Sequence, residues 1–307
     1  MKKTFFIGAV FLSLIFLVSC AGSGSAGQGM DGNKRTGTGS RSYQARMPEP
    51  GTTNITESKG VKIDVSNANL GYAIITCNTG SSKRLKAQIQ SGEIKHDYDI
   101  NSAGQPEVFP LAAGDGSYKV SVLENIDASR YTPIASTQVN VSLTDPHNPF
   151  LVPNQFVNYT KNSQAVAFGY ELTKDCGSDI EVVDAVYEWM LKHIKYDYEK
   201  AATVQTGYLP NVDATLSEKK GICFDYAALA AAILRSHDIP TKLITGRVEV
   251  SNAPDIEAHA WNMIYVQEQG WIARSIQFDG QNYQLVDTTL DAGGNQETVT
   301  YYQRYEY

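Results

Sequence analysis

The most constraining stretch of this 307-residue chain runs from Gly221 to Pro240. Residues from Ile222 to about His237 are rich in Ala and Leu and read as one strong helix, which Pro240 ends. Cys223 falls in its first turn, two residues after Gly221. Strand-like runs follow at 241–250, 259–267, 270–276 and 283–289. A helix followed by such strands buries its apolar side by lying on an antiparallel sheet, so the C-terminal part is predicted to be α+β.

Upstream the pattern changes. Val61 to Val65 and Leu85 to Ile89 alternate, Tyr72 to Thr76 is rich in β-formers, and Ser117 to Val122 and Ala135 to Val141 complete a series. Turn signals at Asn78-Thr79-Gly80 and Gly114-Asp115-Gly116 separate these runs, as in a small antiparallel sandwich. The domain reading is therefore a sandwich at 61–145, a connector rich in Asn, Pro and Val at 146–179, and an α+β domain at 180–307. The latter opens with a helix from about Ile180 to His193, with Asp179 as a candidate cap, and continues through a loop at Gly207 to Pro210.

The first residues carry a different message. Lys2 and Lys3 precede an apolar run from Phe5 to Val18, and Leu17-Val18-Ser19-Cys20 is followed by Ala21 and Gly22. Residues 1–19 read as a signal peptide. The four-residue string resembles the lipobox of bacterial lipoproteins, which implies cleavage before Cys20 and a lipid on its thiol. Residues 20–60, with their Gly, Ser and Pro, read as a flexible tether reaching on the order of 35 Å. The expected location is the bacterial cell envelope, outside the cytoplasm and anchored to a membrane through Cys20.

Composition narrows the partners. A net charge of −7 and the lack of a basic stripe argue against nucleic acid. No cysteine pair has metal-ligand spacing and no Asp/Asn-rich loop suggests calcium, so neither a cofactor nor a metal is expected. Cys77 and Cys176 remain either a disulfide, which the compartment permits, or two free thiols, the simpler reading.

Three residues carry chemistry. Cys223 sits where helix N–H groups and partial positive charge lower a thiol pKa and bind an oxyanion. Gly221 frees the backbone there for close approach of a ligand. From position alone, a reactive and an inert thiol stay equally open. His237 is about 21 Å further along the helix and is no partner for the thiol. His193 ends a helix, and His96 and His147 read as surface residues. His259 shares a strand face with Trp261, Met263 and Tyr265, on which the helix can lie with Cys223 opposite. Asp287 on the last strand can orient an imidazole, with Asp279 and Asp291 as rivals in turn-like sequence.

The strings Gly221-Ile222-Cys223, Leu234-Arg235, Ile239-Pro240, Thr245-Gly246, His259-Ala260-Trp261 and Asp287-Thr288-Thr289, in this order, resemble the transglutaminase-like superfamily of papain-like thiol enzymes. The resemblance covers roughly 180–290. It implies Cys223 as nucleophile, His259 as general acid/base and Asp287 as orienting carboxylate. Thr288 stands where the family often has Pro. No string fixes a side-chain donor to the oxyanion. Tyr208 and Tyr196 are alternatives, with core packing the preferred role for both and the Cys223 N–H the safer donor.

The expected function is thus a transglutaminase-like cysteine hydrolase or acyltransferase. It would act on amide bonds of cell-surface peptides or proteins through a thioester, with hydrolysis favoured over amine cross-linking. The competing reading is a binding or scaffold protein with an idle triad. Oligomeric state is not legible.

Overall fold

In the computed structural model, residues 45–250, 257–278, 283–286 and 299–307 are described. Eight strands come first: β1 (Ile55–Ser58), β2 (Val61–Asp64), β3 (Tyr72–Cys77), β4 (Leu85–Ser91), β5 (Ile94–Ile100), β6 (Pro106–Pro110), β7 (Gly116–Asp127) and β8 (Arg130–Val141). They form two four-stranded antiparallel sheets, ordered β1-β2-β3-β6 and β5-β4-β7-β8. Strand alternation buries Leu85, Ala87 and Ile89 of β4 with Tyr118, Val120 and Val122 of β7. Ile63, Ala73, Ile75 and Cys77 join the same core from the first sheet. The sandwich expected from the alternating runs is thus present; β5 and β6 are strands the sequence reading did not separate, and β1 lies in the stretch read as a flexible tether, whose end pairs with β2 and buries Ala45 in the core. Cys77 and Cys176 are not bridged by a disulfide, and burial raises the Cys77 pKa to about 11.

The segment read as a connector is more ordered than its composition suggested. It holds a short helical turn, Asn148–Phe150, and helix α1 (Gln164–Thr173). Then follow α2 (Asp179–His193), β9 (Lys195–Tyr196), α3 (Tyr198–Thr203), α4 (Val212–Glu218), β10 (Lys220–Gly221) and α5 (Cys223–Ser236). Helices α3 and α4, which the sequence reading did not separate, flank the loop at 207–210. Ser178 rather than Asp179 caps α2, accepting from Glu181 N–H, while the Glu181 carboxylate accepts from Gly177 N–H. Asp179 stands in the first turn instead, where a negative charge still favours the helix.

The last strands are β11 (Thr241–Val250), β12 (Glu257–Val266), β13 (Gly270–Phe278), β14 (Tyr283–Val286) and β15 (Val299–Glu306), in the antiparallel order β14-β13-β12-β11-β15. Strand β15, unread in the sequence, pairs with β11 at the far side. The α+β arrangement is as expected, but the helix lies on the other face of β12. Ala260, Ile264 and Val266 belong to the core that contains α5, and Asn262 Nδ2 donates to Ala227 O at 3.0 Å. Asn262 Oδ1 accepts from Tyr187 OH at 2.7 Å, tying β12 to α2 as well. Tyr265, on the face expected to meet the helix, packs on His147 with ring centroids 4.0 Å apart.

Residues Tyr226 to His237 are all buried, so α5 has no solvent-facing side and its ends need protein partners. At the start, the Asp225 carboxylate accepts from Ile222 N–H at 2.9 Å. Toward the end, fully buried Arg235 donates to Thr241 O, Val152 O and Tyr307 O at 2.6–2.9 Å. Burial lowers its pKa to about 10, still charged at neutral pH. His237 then bridges Ile233 O through Nδ1 and Thr173 Oγ1 through Nε2, each at 2.7 Å, locking α1 onto α5. The contact is close at Gly169, where a Cβ would stand 2.7 Å from Ile233 Cγ2.

The sandwich and the helical part share one apolar core. His96 and His147, expected at the surface, both lie in this contact. The His96 ring packs edge-on against Tyr305 and Tyr307, and His147 packs on Tyr265 and Trp271. Gln155 Nε2 donates to Asp99 O and Glu107 Oε2 across the same seam.

Arg235→Met is expected to destabilise the chain by about 3 kcal/mol or more, because each buried carbonyl left unpaired costs about 1–3 kcal/mol. Gly169→Ala is expected to cost about 1–3 kcal/mol through overpacking against Ile233. Urea unfolding midpoints read both, and an unchanged midpoint in either would contradict the packing described.

Candidate active site

The site is assembled where the α5 N-terminus meets the exposed end of β12. Cys223, Phe224 and His259 line one cavity of about 680 Å³ together with Tyr196, Arg247 and Arg304. Cys223 and His259 thus border the same space. Asp287 and its rivals Asp279 and Asp291 lie outside the described residues, as does Cys20.

The thiol is partly exposed at its surface but deeply surrounded by protein. Burial pushes its pKa above the ordinary thiol value, while the N–H groups of Ala260, Phe224 and Cys223 itself pull it down. The helix terminus thus acts in the expected direction, but desolvation outweighs it. His259 is similarly enclosed, and burial lowers its pKa to about 4. At neutral pH the resting pair is a neutral thiol and a neutral imidazole rather than an ion pair.

Two neighbours hold the imidazole. Its plane is nearly parallel to the Trp261 ring, 17° apart with centroids 6.1 Å from one another. Its Nε2 is 2.8 Å from Ser275 Oγ, and Ser275 is almost completely buried on β13. Sequence reasoning missed Ser275, although a signal existed. The pairing of Val266 with Gly270 and of Asn262 with Arg274 fixes the β12–β13 register. Continued one step, it brings Ser275 opposite Trp261 and diagonal to His259.

The glycine before the thiol has a different task from the one expected. A Cβ on Gly221 would stand 2.7 Å from Asp225 Cβ, so the space it leaves is filled by the helix's own capping side chain rather than by a ligand. Asp225 also accepts from Lys200 Nζ at 2.8 Å and from Tyr208 OH at 2.5 Å. Tyr208 is therefore committed to the cap, and its ring carries Lys200 Nζ 4.6 Å above it. Its hydroxyl pKa is raised, chiefly by burial and then by the Asp225 carboxylate. This cluster ties α3 and the following loop to the start of α5. Tyr196 lines the cavity itself.

Against known proteins, residues 166–275 match the family model described as the transglutaminase-like superfamily. This stretch forms a transglutaminase-like domain, preceded by the β-sandwich-like region. It begins in α1, includes Cys223 and His259, and ends at Ser275. A curated relative, the UPF0252 protein MJ1282 of Methanocaldococcus jannaschii, is 26% identical over 147 residues, covering 43% of this chain and 41% of the relative. The chain thus spans about two fifths of that relative's length.

Two solved structures are similar in part. One is a candidate cysteine protease from Cytophaga hutchinsonii, 17% identical, covering 77% of this chain and 84% of the other, with a TM-score of 0.35. The other is the periplasmic domain of TgpA from Pseudomonas aeruginosa, 19% identical, covering 66% and 70%, with a TM-score of 0.33.

Unfolding frees the imidazole to protonate near 6.5, whereas the folded ring does so only near about 4. Between these values the unfolded chain binds more protons, so stability falls as pH drops through that window, by on the order of 3 kcal/mol for this group. His259→Gln is expected to lose less stability than the parent between pH 7 and pH 4, measured by urea unfolding. Equal losses would place the acid sensitivity elsewhere. Ser275→Asp is expected to raise the His259 pKa by putting a carboxylate at Nε2, followed by the ring-proton NMR titration.

Proposed function

We propose that this chain is an envelope enzyme, lipid-anchored through Cys20, that cleaves amide bonds of peptides or proteins by thiol catalysis. The observation that carries the reading is the shared cavity. A thiol at a helix N-terminus and an imidazole face one space large enough for a peptide segment.

The chemistry follows from the groups present. Nε2 is engaged with Ser275 Oγ, which leaves Nδ1 to take the thiol proton, and in that tautomer Nε2–H donates to the hydroxyl. Sγ attacks the amide carbonyl as the proton moves to Nδ1. The backbone N–H groups of Cys223 and Phe224, at the first helical positions, are placed to receive the oxyanion. The imidazolium returns its proton to the departing amine, leaving a thioester on Cys223. Water, activated by the same imidazole, then releases the acid. The rim is open, with Ala258, Arg247 and Arg304 exposed, which favours water over a sheltered amine as acceptor.

One observation favours the competing scaffold reading: a hydroxyl at Nε2 and the burial of both groups leave the resting pair uncharged. The test uses the full chain with casein as amide donor and a fluorescent primary amine as alternative acceptor. New peptide termini that vanish in Cys223→Ser and fall at least about a hundredfold in His259→Ala are expected, with little amine incorporated. Dominant Cys223-dependent incorporation would make the protein a cross-linking enzyme. Products indifferent to Cys223→Ser would leave the scaffold reading.

A further inference from the structure

One wall of the cavity departs from regular strand geometry. Along β15, Tyr305 pairs with Thr245 of β11, yet the next residue, Gly246, pairs with Gln303. Arg304 is thus an extra residue in the ladder, a β-bulge. Side chains of a regular strand alternate between faces, so three consecutive residues do not line one surface. Here Gln303, Arg304 and Tyr305 all line the cavity. Bulges redirect a side chain in this way and are concentrated beside active sites.

The redirected group is a guanidinium, and it has company. Arg247 on β11 lines the same cavity, whose described lining contains two arginines and no Asp or Glu. That runs against the overall charge of −7. Two nearby carboxylates among the described residues are ion-paired, Asp225 with Lys200 at 2.8 Å and Glu306 with Lys242 at 2.9 Å. Arg304 lies over the Tyr305 ring, 5.0 Å from its centroid, a stack that orients the guanidinium and leaves its N–H edge for a planar acceptor. The rest of the lining is largely apolar, including Tyr196, Val204, Ile222 and Phe224.

We infer that the cleft selects acidic peptides, with Arg304, turned inward by the β15 bulge, and Arg247 receiving a substrate carboxylate beside the amide presented to Cys223. The inference rests on the thiol-enzyme reading above and names its substrate class. The two cations raise the local concentration of anionic peptides and fix their register, and the apolar wall takes the flanking side chains.

The test is protection of Cys223 from iodoacetamide in the full chain, read by peptide mass. The probes are Ac-Ala-Glu-Ala-NH2 and its neutral match Ac-Ala-Gln-Ala-NH2. The acidic peptide is expected to protect at a concentration at least about tenfold lower, the size of one charge-assisted contact. The advantage should shrink at high salt, persist in Arg304→Lys, and collapse toward one in Arg304→Gln combined with Arg247→Gln. Equal protection by both peptides, protection by neither, or a preference surviving the double substitution would overturn the assignment. Failure of the underlying enzyme reading shows elsewhere, as Cys223 reactivity indifferent to His259→Ala, so the two failures are distinguishable.

Discussion

A helix buried on every side imposes the central constraint of this structure. Because no water reaches the flanks of α5, its terminal groups and those of the segments around it need partners from the chain itself. Asp225 serves the start and Arg235 and His237 the end. These three side chains join α5 to α1, α3, β11, the segment before α1 and the C-terminal residue. The small side chains of Ala227, Ala228 and Ala230 to Ala232 let that packing close around the backbone.

The same constraint shapes the chemistry. Asp225 caps the start of α5, and its charge adds to burial in raising the pKa of the Cys223 thiol. The cap also explains why Gly221 precedes the thiol, since any side chain there would strike it. Enclosure has a cost for reactivity, because it disfavours both thiolate and imidazolium. Charge then has to be created during the reaction and met by N–H groups already in place, which is where a low-dielectric site is most effective.

Much of this was legible in the residues. The Ala-rich run between Gly221 and Pro240 marks α5 almost to the residue, because helix propensity and terminators are local properties. The alternating runs marked most sandwich strands for the same reason. Weaker segments escaped: α3 and α4 are short, and α1 lies in a stretch whose Asn and Pro suggested a connector. The helicity of α1 and α4 comes from docking onto α5 rather than from propensity, whereas α3 buries no residue and is held by the Lys200–Asp225 pair.

Position alone left the thiol of Cys223 open between a reactive and an inert role, and it was the ordered motif strings, through their resemblance to the transglutaminase-like superfamily, that singled out Cys223 and His259. Which face of β12 meets the helix was decided only in three dimensions, where Asn262 bonds Ala227 O and the aromatic face turns to His147. The same holds for the placement of Arg304 in the cavity, which depends on the register of β15 on β11, two strands about fifty residues apart in the chain.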